Sequence, residues 1–522
     1  MCLISIFLPA QIKKLFGCAQ FIEVNRKNGA VDRKIEFQAR DYEEFDQRLR
    51  ENLRALELLL GQPGFGEGSG SFGAELEMYI IDREGNAFSG NQEIQRMLGD
   101  SQLTLELNRF NLEYNLTPFP IDNLPFTESE NELLAAIKEV QKAAATMGAR
   151  IVPVGILPTL KIEDFNENTM TDVPRYHALA NRLKKDRGGP FLINIKGLDE
   201  LRLEPEDITL EGANTSFQIH YRIRPDCYSD TFNAFQLITP LVLATASNSP
   251  TVFGHRLWHE TRIPLFKKSI DARKEQLLMN APWHQLPRVN FGNGWVRQGI
   301  HELFAETVHL YPSLLPIIGD EDSLEVVAKG NIPKLSELRL QQSTVWLWNR
   351  PIYDDSAGGH LRIELRALPS GPSVVDMMAN AALAIGLAEG LRPKINELIN
   401  ALPFSYANYN FYRAAEYGIQ SNILWPDTDC SELTEVPVLE LLQYLMPTAE
   451  KGLLSIGVAE SEIEKYLGVI KKRIDRRISG ASWQLNCFNS LVRNHDSSAA
   501  CHIMLEKYYE QCMANIPVSE WQ

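Results

Sequence analysis

The stretch that decides the fold is Phe72–Asp82, FGAELEMYIID. Ala74, Leu76, Met78 and Ile80 alternate with Glu75, Glu77 and Tyr79. A period of two marks a strand with one apolar and one polar face. Ionised glutamates are rare inside sheets unless a partner offsets their desolvation, so Glu75 and Glu77 ask for one. Three further segments repeat the pattern. In NLEYNLTP, Leu112, Tyr114 and Leu116 alternate with Glu113, Asn115 and Thr117. In TSFQIHYRI, Phe217, Ile219 and Tyr221 alternate with Ser216, Gln218, His220 and Arg222. In HLRIELRAL, Leu361, Ile363 and Leu365 alternate with Arg362, Glu364 and Arg366.

For any one of these strands, an antiparallel sheet with a solvated side is the plain explanation. The four polar faces differ from a solvated face, because they lack lysine and are rich in Glu, Arg, His and Asn. If the strands are neighbours, Glu75, Glu77, Glu113 and Glu364 converge with His220. Carboxylates that close repel by on the order of several kcal/mol unless neutralised. Hard oxygen donors with one imidazole suit Mg²⁺ or Mn²⁺ better than zinc. Arginine on the same face suits a phosphate or a carboxylate. Carboxylate-held Mg²⁺ beside arginine is an arrangement for phosphoryl transfer.

Outside these strands the pattern is mostly helical. DYEEFDQRLRENLRALELLLG, from Asp41, has helical spacing and stops at Gly61; a second helix is predicted from Glu128 to Met147. RIVPVGILP reads as an edge strand with prolines. VVDMMANAALAIGLAEGLR is apolar all round and should be buried. From about Val436 onward helices dominate. Strands and helices do not alternate regularly, which predicts an α+β fold with a largely antiparallel sheet. QPGFGEGSG, Gln62–Gly70, does not match a phosphate-binding glycine motif and is expected to be an entry loop. Asn248 is expected to shape a turn, Trp346 and Trp348 to pack, and Cys501 to be a helix residue and no nucleophile.

The chain has 522 residues and a formal net charge of −15, which disfavours nucleic acid and anionic membranes as partners. Its 7 cysteines are scattered without a C-x-x-C pair, the pattern of a reducing, cytoplasmic setting with no disulfide framework or zinc cluster. No apolar run reaches the roughly 18 residues of a membrane span. MCLISIFLPA lacks a preceding basic region, so residues 1–40 are expected to form an N-terminal extension and not a signal peptide.

Six ordered segments make the chain resemble the glutamate–cysteine ligases, in particular their bacterial carboxylate–amine ligase branch. They are GAELEMYIID, ELNRFNLEYNLTP, NTSFQIHYRI, ATASNSPTVFGHRLWHETRIPLF, RIELRALPSGPSVVD and RRISGASWQ, spanning Gly73 to Gln484. The resemblance implies a glutamine-synthetase-like fold: a curved antiparallel sheet with the site on its concave face and helices outside. It implies ATP, Mg²⁺ or Mn²⁺, and a γ-glutamyl-phosphate attacked by an amine, cysteine's or a related one. By position it implies Glu75, Glu77, Glu106, Glu113, His220 and Glu364 as metal ligands, and Arg366 on the transferred phosphate. Arg262 falls where the family holds the amino-acid carboxylate, with Arg256 a competing choice. The catalytic domain is expected over 41–490 and a helical tail over 491–522. Neither the nucleotide-contacting residues, nor the amine specificity, nor the oligomeric state can be assigned this way. The rival functions are a metal-dependent phosphoryl hydrolase or kinase on the same sheet, and a non-catalytic binding protein.

Overall fold

The computed structural model describes residues 37–274, 285–427 and 429–522. Most of the expected N-terminal extension, with Cys2 and Cys18, lies outside the described residues. One sheet of eight strands organises the rest. In chain order its strands are β1 (Ser71–Ile81), β2 (Leu103–Leu105), β3 (Asn111–Asn115), β4 (Phe119–Pro120), β5 (Arg150–Val152), β6 (Phe217–Ile223), β7 (Asn349–Asp354) and β8 (His360–Leu365). The order is β7-β8-β6-β1-β3-β2, with β4 and β5 also paired to β1, and every pairing is antiparallel. The four strands expected from alternation are adjacent, and the sheet curls into a half-barrel.

The principal helices are α1 (Ala39–Leu60), α2 (Pro125–Thr146), α3 (Tyr228–Ala246), α4 (Arg262–Ser269), α5 (Val374–Leu391), α6 (Val438–Ser455), α7 (Glu460–Arg476), α8 (Gly480–Leu491) and α9 (Ser497–Met513). The apolar sheet face, with Phe72, Leu76, Leu112, Phe217, Ile219 and Ile363 all buried, joins the main core formed with α3 and α5. Tyr221 marks that junction: its ring lies 5.9 Å from Phe235 of α3, and its hydroxyl donates to Glu389 of α5 at 2.9 Å. The predicted all-apolar helix is α5. The stretch Val374–Ala401 is long and apolar enough to cross a membrane, yet 94% of its apolar window is buried inside the protein.

The edge strand over RIVPVGILP is shorter than its sequence suggests, because Pro153 has no amide proton to continue the ladder. Trp348 packs, as expected, with ring centroids 5.7 Å from Phe266 and 5.8 Å from Phe411. Cys501 is buried within α9, and burial pushes its thiol up to about 12, which excludes a thiolate nucleophile near neutral pH. Asn248 does more than shape a turn. Its Nδ2 donates to Ser370 O and to the Tyr508 hydroxyl at 2.8 Å each, and its Oδ1 accepts from Gln484 Nε2 at 2.8 Å. That node fastens α8 and α9 to the loop after β8. The C-terminal segment 491–522 therefore packs into the domain, and Tyr508 and Trp521 belong to a second core with Tyr79 and Trp483.

Helix α5 meets α6 through glycines. A Cβ on Gly452 would fall 2.0 Å from the carbonyl oxygen of Gly386, and one on Gly390 would fall 2.2 Å from that of Thr448. The backbones can approach this closely only without side chains. Gly452→Ala is expected to lower unfolding stability by about 1–3 kcal/mol or more, by overpacking a crossing that cannot relax. Urea unfolding measures it; a change under about 0.5 kcal/mol would show that the crossing can open.

Candidate active site

Sheet register assembles the polar side chains. On β1, Glu77 stands opposite Glu113 of β3, and Glu75 opposite Gln218 of β6. His220 stands opposite Gly73 on one side and Glu364 of β8 on the other. Glu106 follows β2, two residues after Thr104, which pairs with Glu113. Side chains two apart share a face, so the strand residues among these occupy the polar side of the sheet, and Glu106 joins them there.

Two triplets result. Ligand atoms of Glu75, His220 and Glu364 lie within 4.8 Å of one another, and so do those of Glu77, Glu106 and Glu113. The five residues expected in one cluster, with Glu106, thus form two adjacent cation-sized groups. Glu75 and Glu77 of β1 link them.

The triplets differ in charge compensation. Glu364 is fully buried. Arg350 of β7 embraces it through both Nε and Nη2, the latter at 2.9 Å, and Arg366 Nη1 donates to it at 2.9 Å. His220 Nε2 lies 3.0 Å from Glu75 Oε1 and 3.8 Å from Glu364 Oε1. Burial pushes the Glu364 carboxyl up, but Arg350, Arg366 and His220 outweigh it and hold the group far below the usual range. Glu75 is lowered too, its burial outweighed by His220.

The second triplet has polar partners but less positive charge. Glu77 accepts from Ser216 N and Oγ at 2.8 Å each and from Gln218 Nε2 at 2.9 Å. Glu113 accepts from Thr104 Oγ1 and Asn115 Nδ2 at 2.9 Å each. Burial, then Glu75 and Glu77, push Glu113 up to about 8. Burial, then Glu113, Glu77 and Glu211, push Glu106 well up, and burial raises Glu77. Crowded carboxylates with raised proton affinity are the donor set that a hard divalent cation stabilises. The residues present therefore fit Mg²⁺ or Mn²⁺.

The arginines fall in different places. Arg366 gives Nη1 to both Gln218 and Glu364. Arg262, at the start of α4, is buried; its Nη1 donates to Glu260 Oε1 and Ala367 O at 3.1 Å each, and its charge reaches Glu77. Arg256 is turned to other partners: its Nε and Nη2 hold Asp199 at 2.9 Å and its Nη1 holds Asn489 at 2.8 Å. Beyond His220 and Glu364, Arg222 and Arg362 stand opposite one another on β6 and β8, with Arg362 Nη1 3.2 Å from Asp354. The glycine loop lies against this row. Arg222 Nη2 donates to Glu67 O at 3.0 Å, and a Cβ on Gly68, which has φ +128°, would come within 3.1 Å of that nitrogen.

Two site residues escaped the sequence pattern. Arg350 sits in WNRPIYD, where Pro351 disguises the strand. Glu211 lies on a short turn of 3₁₀ helix, Thr209–Ala213, that has no period to detect. Burial, then Glu77, push its carboxyl up to about 8.

The model for glutamate–cysteine ligase family 2 matches residues 71–495. Among solved structures, the chain is similar to glutamate–cysteine ligase from Francisella tularensis in complex with AMP. The identity is 12%, the TM-score 0.52, and 86% of this chain and 90% of that one are covered. A bifunctional glutathione synthetase from Pasteurella multocida gives 12% identity and a TM-score of 0.43 over 90% of this chain and 55% of that one. No curated protein sequence matches.

The raised carboxyls carry a testable consequence for stability. Glu113 and Glu211 titrate near 8 in the folded protein against a usual 4.5, so the folded state holds protons that the unfolded chain has lost. Stability of the cation-free protein therefore falls as pH rises through that interval. His259 and His360, lowered by burial to about 4, act in the opposite sense, but only below their usual 6.5. Between about pH 6.5 and 8 the carboxyls set the sign. The Tm of the cation-free protein is expected to fall across this window, and saturating Mn²⁺ to reduce the fall by the share that Glu113 contributes. A flat or rising Tm without cation would refute the crowding.

Proposed function

The chain belongs to glutamate–cysteine ligase family 2, and from that premise we propose that it is an ATP-dependent ligase. It joins a carboxylate, the γ-carboxylate of glutamate, to the amine of cysteine or a related compound. Membership makes it a carbon–nitrogen ligase. The observation that carries the finer reading is the pair of triplets sharing β1, with Arg366 beside Glu364 at their junction.

A carboxylate is a poor electrophile until phosphorylation gives it a leaving group. The chain's residues divide that task along the cleft. Arg222 and Arg362 form a cationic end suited to a polyphosphate, and the glycine loop lies against Arg222 there. The AMP bound to the Francisella tularensis ligase agrees with a nucleotide substrate. Glu75, His220 and Glu364 would hold one divalent cation, and Glu77, Glu106 and Glu113 another. Cations bound there supply Lewis-acid charge to the phosphoryl group in flight. Arg366 offers its fork to the same oxygens as negative charge develops. Arg262, buried on the acidic side, suits the carboxylate of the amino acid. The amine then displaces phosphate from the acyl phosphate and forms the amide. Arg256, committed to Asp199 and Asn489, is the weaker candidate for substrate.

Mass spectrometry of the products after incubation with ATP, Mg²⁺, glutamate and a pool of amines tests the reading. ADP together with an amide that forms only when amine is present is expected. ADP release without amide would favour the hydrolase or kinase alternative. Arg366→Lys keeps the charge and loses the fork. It is expected to lower kcat by about 10²–10³-fold with little change in the KM for ATP, as when one donor is removed from a preorganised site. Arg350 still braces Glu364, so the Tm should hold. Early unfolding with normal turnover of the folded fraction would make Arg366 a structural partner of Glu364 only.

A further inference from the structure

Glu211 is an acid for which neither the strand pattern nor the two cation triplets supply a role. Its turn is immobilised from several sides. Asn108 Nδ2 donates to Thr209 O at 2.8 Å, and the Tyr79 hydroxyl donates to Ala213 O at 2.5 Å. Thr209 N and Oγ1 donate to Asp207 Oδ1 at 2.8 and 2.6 Å. Gly212 permits a close approach: a Cβ there would fall 2.4 Å from Asn108 Nδ2. Glu211 is thereby held at a fixed place against the segment that carries Glu106. Tyr79 lies two residues after Glu77 on the same face of β1, so the turn that its hydroxyl holds sits at the Glu77 end of the cleft; the upward push that Glu77 gives the Glu211 carboxyl agrees with that place.

Among the described residues no hydrogen bond or ion pair reaches the Glu211 carboxyl, and it belongs to neither triplet. A second acceptor on the same segment, Asn214 Oδ1, is buried without a donor. A rigid turn presenting an unserved carboxyl suits a ligand that is positively charged and rich in donors. A primary ammonium has both properties, with three N–H donors on one cation. We propose that Glu211 is a specificity-determining residue that binds a substrate ammonium group at the Glu77 end of the cleft. This rests on the ligase reading, which supplies two sources of that group. One is the α-ammonium of the amino acid whose carboxylate is activated. The other is the incoming amine before it loses its proton.

The test uses the full chain with Mn²⁺. Calorimetry compares glutamate with glutarate, which differs by the absent ammonium, and steady-state assays give the KM for cysteine and for methylamine. E211Q keeps the volume and replaces a carboxyl that a bound ammonium would hold ionised with an amide that stays neutral. If Glu211 reads the α-ammonium, E211Q is expected to erase the preference for glutamate over glutarate by about tenfold or more, the scale of one charged hydrogen bond. If it reads the attacking amine, that preference stays and the amine KM rises by a similar factor. E211D, which withdraws the charge without abolishing it, should show the same change in weaker form, and it decides the matter if E211Q does not fold. No change in either quantity overturns the proposal. So does a matching loss of bound Mn²⁺ by electron paramagnetic resonance, which would make Glu211 a cation ligand. If the wild type forms no amide, the ligase reading fails by itself and the calorimetric comparison alone decides Glu211. A wild type that binds neither amino acid nor amine sinks both.

Discussion

Glu364 is a fully buried carboxylate held between Arg350 and His220 on the two flanking strands. Much of the site follows from that pairing. Removing one partner of a buried charge pair costs about 3–5 kcal/mol, because it leaves a charge uncompensated. A one-residue slip of β8 would do more, turning Glu364 and Arg366 into the apolar core and Ile363 and Leu365 onto the polar face. The register of the sheet and the integrity of the site are thus one constraint. Arg350 and Arg366 brace the same carboxylate while their neighbours on the face remain available to ligands.

From this anchor the cleft acquires a direction. On one side of Glu364 the Arg222–Arg362 row gathers positive charge. On the other, Glu77, Glu106, Glu113 and Glu211 gather negative charge, and burial turns their mutual repulsion into raised proton affinity. β1 runs across the boundary and places Glu75 on the compensated side and Glu77 on the crowded one. A gradient of this kind orients a polyanion toward one end and cations toward the other without moving parts.

Rigidity comes from outside the sheet. The glycine-lined crossing of α5 and α6 supports the apolar face, and the second core around Tyr79, Tyr508 and Trp521 closes the far end of the polar face. Asn248 links these layers through Ser370, Gln484 and Tyr508. The C-terminal helices thereby help to position β8 and the loop that follows it.

The sequence by itself determined which residues share a face. Alternation is local, so Glu75 with Glu77, Gln218 with His220, and Glu364 with Arg366 could be read from spacing, as could α5 from its unbroken apolar run. The antiparallel α+β class followed from the same local patterns. Which strands are neighbours is a non-local fact, and only tertiary structure decided it. That is why the division of the carboxylates into two triplets, the arrival of Arg350 from behind Pro351 and the turn of Arg256 to Asp199 could not be read from spacing. Glu211 is the extreme case. A turn of five residues has no period, and its importance comes wholly from the distant strands that it faces. Local periodicity is set by backbone geometry within one element, whereas charge compensation is set by which elements pack together.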